Sequence, residues 1–184
     1  LASAGWYKKR REGHAYFFPG QFSDRTGYYF EQYNPEKARE AMAIWYKNAI
    51  ENARLCPTAQ GYHNTTFDLI TVGRTPPNPT YFVEWLNYTD CSKISDGASS
   101  LVVTSEEGIA RCHIKTAVEV ISFSSHVGDI TQEPQDPTIL NTMASAVKEA
   151  LKDANITTDQ LGTIELHDCF SIVGILALES IGIT

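Results

Sequence analysis

The sequence predicts an α/β protein: a mixed sheet covered by helices, with a loop-rich helical insertion ahead of it. Two observations carry this. The second half alternates short β-branched runs with amphipathic stretches in the order β, β, α, β, α, which suits helices laid on a sheet. The first half has a capped helical segment followed by a proline-rich stretch, a composition that breaks regular structure. The chain has 184 residues, 42% of them apolar and 20% charged, ordinary values for a globular protein. With 22 acidic and 15 basic residues the formal charge is −7. That balance excludes a nucleic-acid partner held by bulk electrostatics, since neutralising phosphates needs a basic surface. It leaves room for a local basic site. No apolar run reaches the roughly 18 residues a membrane span needs.

Taken in order, residues 1–34 combine the basic cluster Lys8-Lys9-Arg10-Arg11 with the aromatics Tyr16, Phe17, Phe18, Phe22, Tyr28, Tyr29, Phe30 and Tyr33. Pro19-Gly20 and Thr26-Gly27 read as turns, giving a loop-rich mini-core beside a solvated charge run. A sharper reading is a cationic, aromatic lid for an anionic ligand, with Lys8–Arg11 meeting phosphates. Asn34-Pro35-Glu36 is a helix start: Asn caps, Pro suits the first position, and Glu favours the positive end of the dipole. Ala38, Met42, Trp45, Ala49 and Ala53 recur at spacings of three and four and predict a helix over 35–54. Cys56-Pro57 stops it. Pro57, Pro76, Pro77 and Pro79, four of the eight prolines, leave room for a helix only around 66–73.

Residues 90–100 are rich in small side chains and carry an Asp96-Gly97 turn signal. Leu101–Thr104 predicts a short strand, Glu106–Ala110 a short helix, and the β-branched series in 114–125 a long strand. After Pro134 and Pro137, residues 138–154 show Leu140, Met143, Ala144, Val147 and Leu151 on one face of a helix. Residues 159–162 form a turn, 163–167 a strand and 171–179 a helix. A chain that stopped at this apolar helix is expected to leave it without packing partners, so the sequence is read as an internal piece of a longer protein or a chain with missing segments. Cys56, Cys91, Cys112 and Cys169 are scattered, without a CxxC pair, and are expected to be free thiols.

The most specific segment is Glu165-Leu166-His167-Asp168-Cys169-Phe170-Ser171, where a strand hands over to a helix. Residues two apart in an extended chain point the same way, so His167 and Cys169 are expected to face one cavity. Asp168 or Ser171 is expected to cap the helix, and the helix N-terminus to favour a thiolate at Cys169. Two other readings of these residues stand beside this one. A metal site from Cys112, His113, His167 and Cys169 is disfavoured because sequence neighbours on a strand point apart. A cysteine hydrolase of Cys169 and His167 is disfavoured because the two are too close in sequence to orient as attacker and base.

His167-Asp168-Cys169-Phe170, preceded by Glu165-Leu166, resembles the HDCF loop of thiolases of the sterol-carrier-protein type. Ser92–Ser100 resembles the stretch of that family ending in (S/N)DGA. Lys47-Asn48-Ala49, Asn52-Ala53, Pro57 and Ala59-Gln60 resemble its KNH…NA…NP.AQ pattern. The matches keep one order over roughly residues 24–182. The resemblance implies a layered αβαβα thiolase-type fold, present in part. Residues 1–86 would be a loop domain covering coenzyme A, 87–107 would hold the last strand of the N-terminal half, and 108–184 the first part of the C-terminal half.

It also implies an activity. The family makes or breaks the carbon–carbon bond of 3-ketoacyl-CoA, by thiolysis or Claisen condensation, through an acyl-cysteine intermediate. By position, Cys169 is the implied acid/base thiol. His167 is the implied donor to the enolate oxygen or to a water, and Ser92 the implied contact for the pantetheine arm. No metal and no permanently bound cofactor are implied; coenzyme A and acyl-CoA are substrates. Members work in fatty acid and lipid metabolism as homodimers or homotetramers, in peroxisome-like organelles, glycosomes or mitochondria. The family's acyl-accepting cysteine is expected upstream, and its GHP histidine and CxG loop downstream; none occurs in this sequence. The alternative implied is a catalytically silent, thiolase-like acyl-CoA-binding protein.

Overall fold

The computed structural model describes residues 15–129, 131–132 and 134–183. Lys8–Arg11 and His14 lie outside the described residues. In order, the helices are α1 (Phe17–Gln32), α2 (Pro35–Ala53), α3 (Leu69–Gly73), α4 (Glu106–Arg111), α5 (Asn141–Ala154) and α6 (Ser171–Ser180), with 3-10 turns at Tyr88–Asp90 and Thr158–Gln160.

Helix α2 forms as its cap and periodicity dictate. The Asn34 side chain accepts from the Lys37 amide at 3.0 Å, with Pro35 at the first position and Glu36 in the first turn. Ala38, Met42 and Ala43 are its buried residues. Helix α3 is capped by Asp68, whose carboxylate accepts from the Thr71 amide at 2.9 Å. It lies close on α2: a Cβ added at Gly73 would sit 2.9 Å from the Ala43 Cα. Only a residue without a side chain permits that approach.

Helix α1 corrects the expectation of loops over Phe17–Gln32; residues 1–14 lie outside the described residues. Pro19 stands in its first turn, where a missing N–H costs nothing. Gly27 is a packing residue rather than a turn: a Cβ there would lie 2.7 Å from the Trp85 indole nitrogen. The buried polar face of α1 is used as well. Ser23 Oγ accepts from the Trp85 amide at 2.9 Å, and Thr26 Oγ1 donates to the Phe22 carbonyl at 2.8 Å.

The core joins these elements to α6. It consists of Tyr29, Ala38, Met42, Val83, Leu86, Phe170, Ile172, Val173 and Leu176. Phe22 stacks on Phe170 with centroids 4.5 Å apart. Tyr29 donates to Glu179 Oε1 at 2.5 Å, tying α1 to the far end of α6.

The strands expected over 101–104, 114–125 and 163–167 are not formed among the described residues. A single antiparallel bridge, Cys91 with Phe170, is the β-pairing found there. The physical reason is the lack of a partner strand among the described residues. Val102 is 89% exposed and Val118 92%, and the run 114–125 touches α5 at its end, where Ser124 donates to Glu149 Oε2 at 2.7 Å. No described helix is long and apolar enough to cross a membrane.

Candidate functional site

The bend at residues 167–171 is built from three directions. Phe170 is extended (φ −139°, ψ 146°) and Ser171 begins α6. The segment 91–92 runs antiparallel to it: Cys91 bridges Phe170, and the Ser92 amide donates to the Cys169 carbonyl at 2.9 Å. Sequence places Ser92 and Cys169 far apart, and this pairing brings their backbones together.

Below the bend sits Asp90, which is buried. Its Oδ2 accepts from Arg39 Nη1 at 2.6 Å and from the Asn87 amide at 2.9 Å, and its Oδ1 from the Ser171 hydroxyl at 2.6 Å. Asn87 returns the favour, since its side chain accepts from the Thr89 and Asp90 amides in a capping box. Asn87 Nδ2 also donates to the Gly73 and Thr75 carbonyls at 3.2 and 2.6 Å. One carboxylate therefore links α2, the 88–90 turn and the first residue of α6. On the other side, the Trp45 indole donates to Asp168 Oδ2 at 2.8 Å.

These contacts correct the expected cap. No side chain caps α6 at Phe170. Asp168 is taken by Trp45, and the Ser171 hydroxyl by Asp90, so neither is free for the helix amides. The expected thiolate is corrected too. The Cys169 thiol is pushed above its ordinary value, chiefly by burial, with the Asp168 charge adding and the Phe170 amide opposing. Cys91 is pushed up to about 12, first by burial and then by the Asp90 charge. Beside it, burial lowers the Lys93 ammonium, which lies 3.4 Å from the Tyr88 ring centroid. Cys169 thus carries its proton at neutral pH, a state fit for giving a proton rather than attacking a carbonyl.

The imidazole of His167 is exposed while Cys169 is half-buried against the core, and no hydrogen bond joins the two. The Ser92 side chain is exposed beside them. All four cysteines are free thiols. Among the described residues no three His, Cys, Asp or Glu side chains gather as a metal site. Asp90 and Arg39 escaped the sequence reading. Trp45 entered it only as part of an apolar stripe. Asp90 lies 81 residues from Ser171, and Trp45 lies 123 residues from Asp168. The one local signal was the Asn87-x-x-Asp90 spacing of a capping box.

No family model matches the chain. It is similar to an acetyl-CoA acetyltransferase of Methanothermobacter thermautotrophicus, 30% identical over 168 residues that make 90% of this chain and 41% of the relative. It is similar to a beta-ketoadipyl-CoA thiolase of Acinetobacter baylyi, 32% identical over 95 residues, 51% of this chain and 22% of that protein. It also matches sterol carrier protein 2 of Rattus norvegicus, 24% identical over 175 residues, 91% of this chain and 30% of that protein. These relatives are named as an acetyltransferase, a thiolase and a sterol carrier protein, and the likeness to them runs over half to nine tenths of this chain. The chain spans about two fifths of the first relative's length.

Proposed function

We propose that the polypeptide to which this chain belongs is an acyltransferase acting on 3-ketoacyl-CoA, by thiolysis or Claisen condensation through an acyl-cysteine intermediate. The observation that carries the reading is the braced bend at 167–171. It holds a protonated, half-buried thiol two residues from an exposed imidazole, in a chain whose relatives include an acetyl-CoA acetyltransferase and a beta-ketoadipyl-CoA thiolase.

In thiolysis, an acyl-accepting thiolate adds to the C3 carbonyl and the C2–C3 bond breaks. The electron pair passes to the acetyl-CoA fragment as an enolate. Cys169 delivers its proton to C2, releasing acetyl-CoA. It then takes the proton of the incoming coenzyme A thiol as that sulfur attacks the acyl-cysteine. A raised thiol affinity for the proton suits the first step, and the general-acid contribution is typically about 10²–10⁴ in rate. His167, exposed at the same bend, donates to the enolate oxygen or holds a water; such a donor is worth about 10²–10³. Ser92 contacts the pantetheine arm from the segment paired with Cys169. Coenzyme A and acyl-CoA are the substrates, with no resident cofactor.

The layered αβαβα fold goes with this reading. So does the division into a loop domain (1–86), the end of the N-terminal half (87–107) and the beginning of the C-terminal half (108–184). The unpaired β-branched runs at 101–104 and 114–125 are where its sheets would be completed. Assembly as a homodimer or homotetramer and residence in a peroxisome-like organelle, glycosome or mitochondrion belong to the same proposal.

The test is thiolysis of acetoacetyl-CoA by the intact polypeptide. Turnover that falls at least about 10²-fold in Cys169→Ala, with coenzyme A affinity kept, is the expected result. Turnover unchanged in that variant removes the assigned role. Acyl-CoA binding without turnover in the unaltered protein would replace the reading with the silent acyl-CoA-binding one.

A further inference from the structure

Asp168 stands between His167 and Cys169 in the sequence and its charge acts on the Cys169 thiol, so the position of its carboxylate decides how much negative charge that thiol meets. Two places are open to it. One is the head of α6, where a side-chain oxygen would find unpaired amides. The other is the Trp45 indole, and the carboxylate is there, at 2.8 Å. The indole is itself fixed. Its ring fills the notch left by Gly174 on α6, where an added Cβ would lie 2.2 Å from Cε2 and 2.3 Å from Cζ2. Gly174 thus sets the ring, the ring sets the N–H, and the N–H sets the carboxylate. Among the described residues, Cys91 on the bridged segment also interacts with the thiol, and His167 stands two residues before it on its own segment. Cys91 in turn meets the charges of Asp90 and Lys93.

We propose that Trp45 is a positioning residue of this site: it holds the Asp168 carboxylate in one place beside Cys169, and so fixes the electrostatic surroundings of the thiol without touching substrate. This deepens the acyltransferase reading and rests on it for its purpose, but the measurement does not need turnover.

The experiment is the pH dependence of iodoacetamide alkylation of Cys169, read by peptide mass spectrometry on the intact polypeptide. Trp45→Phe keeps a ring against Gly174 and removes the donor. Without the indole N–H that donor no longer offsets the carboxylate charge acting on the thiol, which disfavours the thiolate, so the alkylation midpoint is expected to rise by about 0.5 pH unit or more. Asp168→Asn is expected to lower it. In the Asp168→Asn background Trp45→Phe is expected to add nothing, because the charge to be held is gone. An unmoved midpoint in Trp45→Phe, or the same shift in both backgrounds, overturns the proposal, since mere packing would act alike in both. Exchange of the Trp45 indole proton, followed by NMR in the unaltered protein, needs no variant: slow exchange is expected, and exchange at the rate of a free indole overturns the tether. Absence of 3-ketoacyl-CoA turnover with the midpoint shift intact would remove the acyltransferase reading alone. Turnover without the shift would remove the role of Trp45 alone.

Discussion

Replacing Asp90 with Asn keeps the shape of the side chain and deletes its charge, and the structure sets the size of the loss. The Asp90 side chain is 1% exposed and that of Arg39 13%, so water cannot take over Asp90 and reaches Arg39 only in part. Two charge-assisted bonds, from Arg39 and from Ser171, are 2.6 Å long. After the substitution Arg39 remains half-buried without a counter-charge, and the new N–H₂ takes the place of an acceptor oxygen, so the Ser171 hydroxyl must turn from donor to acceptor. Breaking a buried pair in this way costs about 3–5 kcal/mol. An isosteric Asn retains one acceptor, so about 3 kcal/mol is expected. Urea unfolding followed by tryptophan fluorescence is the assay, because Trp85 accepts from Arg39 through its carbonyl at 2.5 Å and Trp45 sits on Asp168. Ser171→Ala in the Asp90→Asn background is expected to cost less than in the unaltered protein, by about 0.5–3 kcal/mol of coupling. A loss below about 1 kcal/mol for Asp90→Asn, the scale of an exposed ion pair, would refute the view of Asp90 as the anchor of the bend.

Gly174→Ala should destabilise by about 1–3 kcal/mol through overpacking against Trp45, although Ala is the better helix former by about 1 kcal/mol; a gain in stability on denaturation would contradict the packing. The thiols should label in a fixed order at neutral pH. Cys56, exposed and lowered by its hydrogen bond from Thr58, leads; Cys169 follows; Cys91, pushed up to about 12, comes last. Mass spectrometry after brief alkylation checks this, and Cys169 labelling ahead of Cys56 would be the wrong order. Tyr29 is raised above its ordinary 10.0, first by burial and then by its bond to Glu179. The folded state therefore holds that proton more tightly than the unfolded one. Its contribution is full below pH about 10 and is lost as pH rises beyond. Tyr29→Phe should flatten that alkaline loss, and an unchanged slope between pH 9 and 11 would count against it.

Helices α2 and α5 were legible because each is announced locally, by a cap, a stripe or a neighbouring proline, and α6 because its run Ile172–Leu178 is almost wholly apolar. Helix α1 was not. Its Pro19-Gly20 and Thr26-Gly27 carry turn chemistry in isolation, and only the packing of Trp85 against Gly27 shows why a glycine belongs in a helix there. The β-branched runs read as strands because side-chain pattern reports what a residue suits; pairing also needs a partner, and Val102 and Val118 have none among the described residues. The bend with His167 and Cys169 could be found from seven consecutive residues. Its bracing could not, because Arg39, Asp90 and Trp45 act across long separations that no spacing rule reaches. The thiolate expected from the helix dipole lost to desolvation, a contest that burial decides and sequence does not reveal.

The proposed role of Cys169 is to move a proton at the carbon next to a thioester. The direct measurement is deuterium entry at C2 of acetyl-CoA, followed by NMR with the intact polypeptide in heavy water. Exchange is predicted with the unaltered protein and is predicted to vanish in Cys169→Ala. Exchange at the same rate in both proteins would contradict the claim.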